Sequence, residues 1–242
     1  LELYLSSGPP EQDLAFERET VGKASFGSSR LFVYNWDEPA LVLGYAQGPE
    51  GMDASVLARK KIPVLRRISG GKAVLSAVSL SFSLFLRKGE GFAEHPISEL
   101  YAFFVEEVAA ALQRCGIRAE KSFNKEKSGS PICFFSQSGE TLLIGGRKFF
   151  GGAQMRGSKA LMVHGTMLLN PALELHSSVF GVDIEELREK ITSVAVDAEA
   201  LTERLAGGIS GRLGEKIDGP FCAVSSEDAV REQRGPRWSP TF

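Results

Sequence analysis

Cysteine is scarce in this chain. There are three in 242 residues, Cys115, Cys133 and Cys222, far apart and without a CxxC pair. An odd count at unpaired spacing excludes a disulfide scaffold and points to free thiols in a reducing compartment, so a cytoplasmic protein is expected. Histidine is as rare, at three, and His164 has no second histidine or carboxylate at metal-ligand spacing, which argues against a zinc site. Positive charge is not in excess: Lys plus Arg number 28 against 30 Asp plus Glu, a formal net charge of -2. Binders of the phosphate backbone carry a basic surplus, so nucleic acid is a poor partner. No run of about 18 apolar residues occurs, and no membrane span is expected. The start, Leu1-Glu2-Leu3-Tyr4-Leu5, lacks the basic residues and long apolar stretch of a signal peptide, and without an initiator Met it reads as a trimmed start.

What is present is an ordinary globular mixture, 43% hydrophobic and 24% charged, which rules out a disordered chain. A chain of this length buries roughly 70–75% of its unfolded surface, enough for one sizeable domain. The pattern predicts a helix over 11–24, strands at Arg30–Trp36 and Ala40–Gly44, a short helix capped by Asp53 and running to Lys61, and a strand at Val64-Leu65. Residues 79–86 alternate, with Leu80, Phe82, Leu84 and Leu86 on one face and Ser79, Ser81 and Ser83 on the other, as in a strand with one wet face. Over 98–115, Leu100, Phe103, Phe104, Val108, Ala111, Leu112 and Cys115 form one helical stripe, and Gly116 stops it. The polar stretch Lys121–Ser130 reads as a mobile loop. Strands are expected at Ile132–Phe135, Thr141–Ile144, Arg147–Phe150 and Leu161–Leu169, with Gly145-Gly146 as a two-residue turn. Asp183 with Glu186 opens a helix through Lys190, and more helix is expected between 197 and 216. Strands dominate the middle and helices flank them, which defines an α+β fold with a mixed sheet. Residues 1–218 read as a single domain and 219–242 as a loosely ordered tail.

Four segments can carry chemistry. In Arg66-Arg67-Ile68-Ser69-Gly70-Gly71-Lys72-Ala73-Val74-Leu75 a strand runs into two arginines and a Gly-Gly turn. This is either a basic surface turn or an anion site in which glycines admit a ligand to backbone N–H groups. Lys148 lies between two Gly-Gly pairs, with Leu143 expected opposite it across the hairpin. It is either an ordinary solvated strand lysine or a partly desolvated fixed cation. The small residues Gly151-Gly152-Ala153 beyond it mark a place where a ligand can lie against backbone. Cys133, beside the polar loop, is either a nucleophile or a small buried apolar residue; Cys115 belongs to the core stripe. His164, in Val163-His164-Gly165-Thr166, reads as a core histidine or one supporting a site, while His95 and His176 read as surface residues. The basic residues Arg59, Lys60, Lys61, Arg66 and Arg67 form either a solvated helix end or a dock for an acidic partner.

Taken in order, these segments resemble the lipoate–protein ligase and octanoyltransferase family, related in fold to biotin protein ligases. The resemblance covers roughly residues 10–200. It rests on Leu43-Gly44-Tyr45-Ala46-Gln47, on Arg66-Arg67-x-Ser69-Gly70-Gly71-x-Ala73-Val74, on Gly146-Arg147-Lys148-x-x-Gly151-Gly152-Ala153-Gln154-x-Arg156, on His164-Gly165-Thr166 and on Ile191-Thr192-Ser193-Val194. It implies a lipoate/biotin ligase catalytic-domain fold in which the arginine/Gly-Gly turn and the lysine hairpin close over an acyl chain. Arg67 and Lys72–Leu75 would then line the phosphate or pantetheine side. Lys148 would hold the acyl carbonyl or acyl phosphate. Gly151, Gly152 and Ala153 would leave a slot for the chain, and Arg66, Ser69, Gly70, Gly71, Gln154 and His164-Gly165-Thr166 would also belong to the substrate-binding set.

Cys133-Phe134, upstream of the lysine motif and followed by Glu140, is similar to the cysteine-dependent octanoyltransferase and amidotransferase branch. That branch implies an acyl-enzyme on Cys133, formed from acyl carrier protein or a lipoyl domain and passed to a lysine of a lipoyl domain such as the glycine cleavage H protein, with no cofactor. Lys148 would favour the thiolate and stabilise the oxyanion. Two alternatives stand beside it: an ATP- and Mg-dependent lipoate ligase subunit lacking its accessory domain, and a non-catalytic homologue that binds lipoyl domains. One departure is visible, since Ser76 stands where the family usually has His. A monomer is the default for this type.

Overall fold

The computed structural model describes residues 1–22, 27–89, 91–122, 128–137 and 140–223, with backbone alone at 97 and 219–223. The end of the first expected helix, the middle of the 121–130 loop and the tail from 224 onward lie outside the described residues.

In chain order the elements are β1 (Glu2–Ser6), α1 (Pro10–Gly22), β2 (Arg30–Trp36), β3 (Ala40–Leu43), α2 (Ala54–Arg59), β4 (Val64–Arg66), β5 (Val74–Ser76), β6 (Val78–Arg87), α3 (Ile97–Arg114), β7 (Glu120–Lys121), β8 (Leu142–Ile144), β9 (Arg147–Arg156), β10 (Ala160–Asn170), α4 (Leu173–Phe180), α5 (Ile184–Lys190), α6 (Ala198–Leu213) and β11 (Asp218–Ala223). Eight strands form a mixed sheet in the order β11-β1-β2-β6-β10-β9-β8-β7, and three form a second sheet, β4-β3-β5. In the large sheet β1 runs parallel to β11 and β2, and every other pair is antiparallel.

One face of the large sheet carries α3 and α6. Leu80, Phe82, Leu84 and Leu86 of β6 meet Phe103, Phe104 and Val108 of α3 and Leu201, Leu205 and Ile209 of α6 there. The stripe on α3 is buried throughout, Cys115 packs against its end, and Gly116 has φ 80. The opposite face carries α1, whose Leu14 and Phe16 pack on Phe32, Tyr34 and Trp36 of β2 and Phe85 of β6. The small sheet has its own core with α2, α4 and α5. The expected caps form: Asp53 accepts from the N–H groups of Ser55 and Val56, and Asp183 from those of Glu185 and Glu186. Gly145 and Gly146 have φ 56 and 74, the mirror-image turn that a two-residue hairpin needs, and Leu143 faces Lys148 across it.

Five expectations are corrected. The serine face of β6 is not wet: Ser79, Ser81 and Ser83 are all buried, because α1 covers that face. Cys133–Phe135 is a 3-10 turn rather than a strand, and a turn lets the consecutive Phe134 and Phe135 enter one core where strand alternation would split them. β9 does not stop at Phe150, since Gly151 and Gly152 pair with Thr166 and Gly165 of β10, and ladder hydrogen bonds need no side chain. His176 is fully buried between α4 and its neighbours, and burial pulls its pKa down to about 4. Asp218–Ala223 forms a strand beside β1 on the sheet edge, so the first five residues of the expected 219–242 tail are paired rather than loose. Among the described residues no helix is long and apolar enough to cross a membrane.

Candidate active site

A narrow, mostly apolar cavity of about 60 Å³ lies where the two sheets meet under α1. Its walls come from distant parts of the chain. Leu14, Tyr34 and Trp36 form one side; Val42, Val74 and Ser76 come from the small sheet; Gly151–Ala153 and His164–Thr166 supply the paired strands β9 and β10. Arg67, Gly71 and Cys133 complete it.

Cys133 is a free, half-buried thiol at the start of the 3-10 turn. Its neighbour is Lys148, 4% exposed, whose Nζ donates to the carbonyls of Cys133 at 3.0 Å and Ser136 at 2.8 Å and lies 5.3 Å from the Phe134 ring centroid. Burial holds the Lys148 pKa below the usual lysine range; the nearby Cys133 sulfur opposes that, and Lys72 adds to it. Gly151 explains how a lysine fits there. A Cβ on Gly151 would stand 2.8 Å from Lys148 Cε and 3.1 Å from its Nζ, so the missing side chain makes room for the ammonium.

The other end of the cavity is a hydrogen-bonded chain. Arg67 Nε donates to Ser69 Oγ at 3.1 Å, and Ser69 Oγ lies 2.6 Å from His164 Nε2. His164 Nδ1 is 3.3 Å from Glu17 Oε1, which also accepts from Tyr34 at 3.0 Å and from Ser83. With Arg67 donating into Ser69, the consistent direction is Ser69 O–H to Nε2 and Nδ1–H to the carboxylate. Burial pushes the Glu17 carboxyl up, but His164 and the donated bonds outweigh it and hold it below the ordinary value. Asp13, one helical turn earlier, accepts from Trp36 Nε1 at 2.7 Å, and burial raises its pKa to about 6.

Of the residues singled out by sequence, the cavity brings together Arg67, Gly71, Val74, Cys133, Gly151, Gly152, Ala153, His164, Gly165 and Thr166. The others stand behind it. Arg66 points away and donates to the carbonyls of Gly44, Tyr45 and Gln47. Gly70 is exposed, Ser69 is buried, and Ala73 and Leu75 are buried in the small-sheet core. Lys72 turns onto Ser136 and Ser128, and Gln154 is half-buried on β9. Arg67 is not a free anion binder either: its guanidinium is spent on Ser69, Val42, Gly70 and Lys72 oxygens, so it builds the glycine turn. The expected basic cluster therefore splits, leaving Arg59, Lys60 and Lys61 exposed. Sequence reasoning missed Asp13, Glu17, Tyr34 and Trp36. The spacing of two acids one turn apart on the buried side of a helix was the available signal. Ser76 lines the cavity and bonds Ser79. Among the described residues no three His, Cys, Asp or Glu side chains gather closely enough to hold a metal.

A thiol on the wall of a narrow apolar slot, next to a buried ammonium, is equipment for handling an activated acyl chain. The chain belongs to the family described as the lipoyl protein ligase A/B catalytic domain, whose model matches residues 9–210. It is 29% identical over 219 residues to octanoyltransferase LipM of Exiguobacterium sp., covering 86% of this chain and 79% of that one. It is 27% identical over 204 residues to octanoyltransferase LipM of Clostridioides difficile, covering 82% and 73%. Two solved structures share the fold: a lipoate protein ligase of T. acidophilum with bound lipoic acid (TM-score 0.73, 22% identity, 94% and 90% covered) and a lipoate-protein ligase A bound with ATP (TM-score 0.74, 21% identity, 94% and 90% covered).

Proposed function

We propose that this protein is an acyltransferase that moves an octanoyl or lipoyl group onto a lysine of a lipoyl domain through a thioester on Cys133. The observation that carries the reading is the pairing of a cavity-wall thiol with a buried lysine whose hydrogen-bond partners among the described residues are the Cys133 and Ser136 carbonyls. The name shared by the relatives above supports the octanoyl group as cargo.

The steps balance without ATP. The Cys133 sulfur attacks the acyl carbonyl of the donor, a thioester on an acyl carrier protein or the lysine amide of an acylated lipoyl domain. The carbonyl carbon's bond to the donor sulfur or, for the amide, to the lysine nitrogen breaks, and that atom leaves with the proton from Cys133. The acceptor lysine amine then attacks the Cys133 thioester, the carbon–sulfur bond breaks, an amide forms, and the amine proton returns to the thiol. Lys148, a fixed cation in a dry setting, stabilises the negative charge that develops in both steps. Arg67, Ser69 and Gly71 hold the roof, and Gly151–Ala153 with His164–Thr166 give the chain a groove. The reducing cytoplasm keeps the thiol free.

The test is intact mass. Octanoyl-loaded acyl carrier protein is expected to add one octanoyl group to the chain, mapped to Cys133 and discharged by a lipoyl domain. An intact donor that leaves the chain unmodified refutes the reading. ATP-dependent lipoyl-adenylate formation that survives Cys133→Ser replaces it with a ligase.

A further inference from the structure

Lys72 has no part in the chemistry above, yet it is half-buried and aimed at the nucleophile's own turn. Its Nζ donates to Ser136 Oγ at 3.1 Å and to the Ser128 carbonyl. The Ser128 N–H donates to the same Ser136 Oγ at 3.4 Å. Lys148 reaches the turn from the opposite sheet and donates to the carbonyls of Cys133 and Ser136. Ser136 is thus held twice, its carbonyl by one lysine and its hydroxyl by the other.

The residue after Lys72 holds the front of the same turn. Ala73 N–H donates to the Pro131 carbonyl at 3.0 Å, and Cys133 N–H donates to the Ala73 carbonyl at 2.8 Å. The Lys72 carbonyl in turn accepts from Arg67 at 2.9 Å, which ties the arrangement to the glycine roof. One dipeptide, Lys72-Ala73, therefore spans the segment from Pro131 to Ser136.

A three-residue 3-10 turn has little stability of its own, and the carbonyls of Cys133 and Ser136 at its two ends are acceptors that a cation satisfies. Lys148 takes both, and Lys72 braces the Ser136 hydroxyl beside them. Two ammonium groups so placed also repel each other, and Lys72 contributes to holding the Lys148 pKa down. A clamp built only for strength needs neither charge. Charges add a field at the adjacent sulfur, where negative charge develops.

We propose that Lys72, acting through Ser136, is a positioning residue that fixes the Cys133 turn against the cavity, so that Lys72 and Lys148 form a two-ammonium clamp on the nucleophile. The inference rests on the reading of Cys133 as the nucleophile, and its test separates the two. In the full chain, Lys72→Met, Lys72→Arg, Ser136→Ala and Ser136→Thr are compared by two readouts. One is the rate at which iodoacetamide modifies Cys133, followed on the Cys133 peptide by mass spectrometry. The other is kcat and KM for transfer from octanoyl-loaded carrier protein to a lipoyl domain.

Lys72→Met and Ser136→Ala are expected to slow alkylation about tenfold and to lower kcat about 10- to 100-fold with KM within about twofold, the scale on which a misplaced reacting group is felt. Lys72→Arg and Ser136→Thr, which keep the cation and the hydroxyl, are expected to recover most of both. If Lys72→Met unfolds, the Ser136→Ala and Ser136→Thr pair decides alone. Alkylation and kcat within twofold of the parent in Lys72→Met and Ser136→Ala overturn the proposal. A raised KM at unchanged kcat also overturns it, by making Lys72 a substrate contact. Slowed alkylation in a chain whose parent shows no transfer leaves the clamp standing and removes the transferase reading.

Discussion

At the Cys133 end of the cavity the buried charge is Lys148, and its hydrogen bonds go to the backbone carbonyls of Cys133 and Ser136. At the His164 end it is Glu17, matched by His164, Tyr34 and Ser83 side chains. Carbonyl dipoles solvate an ammonium without cancelling its charge. The neutral His164 and two hydroxyls solvate the Glu17 carboxylate in the same way, and its charge also remains. The two ends thus carry fields of opposite sign: the cation end favours a developing oxyanion, while the anion end does not and serves as a polar wall that shapes the slot.

If the cation end is where bonds change, its variants lose rate far more than stability. Cys133→Ser is expected to lower octanoyl transfer at least about 1000-fold, because no other group in the cavity replaces the thiol, with the melting temperature nearly unchanged at this half-buried position. Lys148→Met is expected to cost about 100- to 1000-fold in kcat. It takes a donor from the Ser136 carbonyl and leaves the Cys133 carbonyl with the Ser136 N–H, so stability falls by about 1–3 kcal/mol, measured by denaturant unfolding. The pH response is signed. Lys148 titrates below its ordinary 10.5 through burial, with Lys72 lowering it further and Cys133 raising it. Activity should fall as pH rises through that depressed value. Stability attributable to Lys148 should rise over the same window, because the unfolded chain still binds the proton there. A parent and Lys148→Met pair with identical alkaline limbs breaks the comparison.

Much of this was legible beforehand, for physical reasons. Composition found β2, whose β-branched and aromatic residues fill the cores on both faces of the sheet, periodicity found β6 and α3, and the Gly145-Gly146 turn placed Leu143 opposite Lys148 because hairpin register follows turn length. The chemistry-bearing types were rare enough to notice. The wet face assigned to β6 failed because alternation reports polarity, and Ser79, Ser81 and Ser83 are polar under a helix that no local window contains. Lys72, Arg66 and Arg67 read as ligand cations because charge is visible in a sequence and its target is not; here the targets are the chain's own carbonyls. Glu17 and Asp13 sit in a helix of weak amphipathic pattern, so their one-turn spacing was visible but their burial was not, and they look like solvent-facing residues until β2 closes over them.

The anion end should show the reverse behaviour, with stability effects exceeding those on the chemistry. Glu17→Gln keeps the shape but removes the charge that His164, Tyr34 and Ser83 serve, and about 2–4 kcal/mol of stability should go with it. Because the Glu17 carboxyl is held below its ordinary 4.5, its contribution is fully present above that value and lost as pH falls through the lower folded one.

Asp13 has the opposite sign and the smallest effect. Burial lifts its pKa from 3.8 to about 6, so the folded chain binds the extra proton between those values and this group's contribution weakens as pH rises through the window. At pH 8 the chain carries a buried carboxylate that would fold more favourably neutral. Asp13→Asn keeps an acceptor for Trp36 Nε1 and removes the charge beside Glu17. It is expected to stabilise the protein at pH 8 by about 1–2 kcal/mol and at pH 4 by much less, read from urea unfolding at both values. An Asp13→Asn variant that is destabilised equally at both pH values would show that the carboxylate is well solvated where it stands, and the contrast between the cavity's two ends would then have to rest on Glu17 alone.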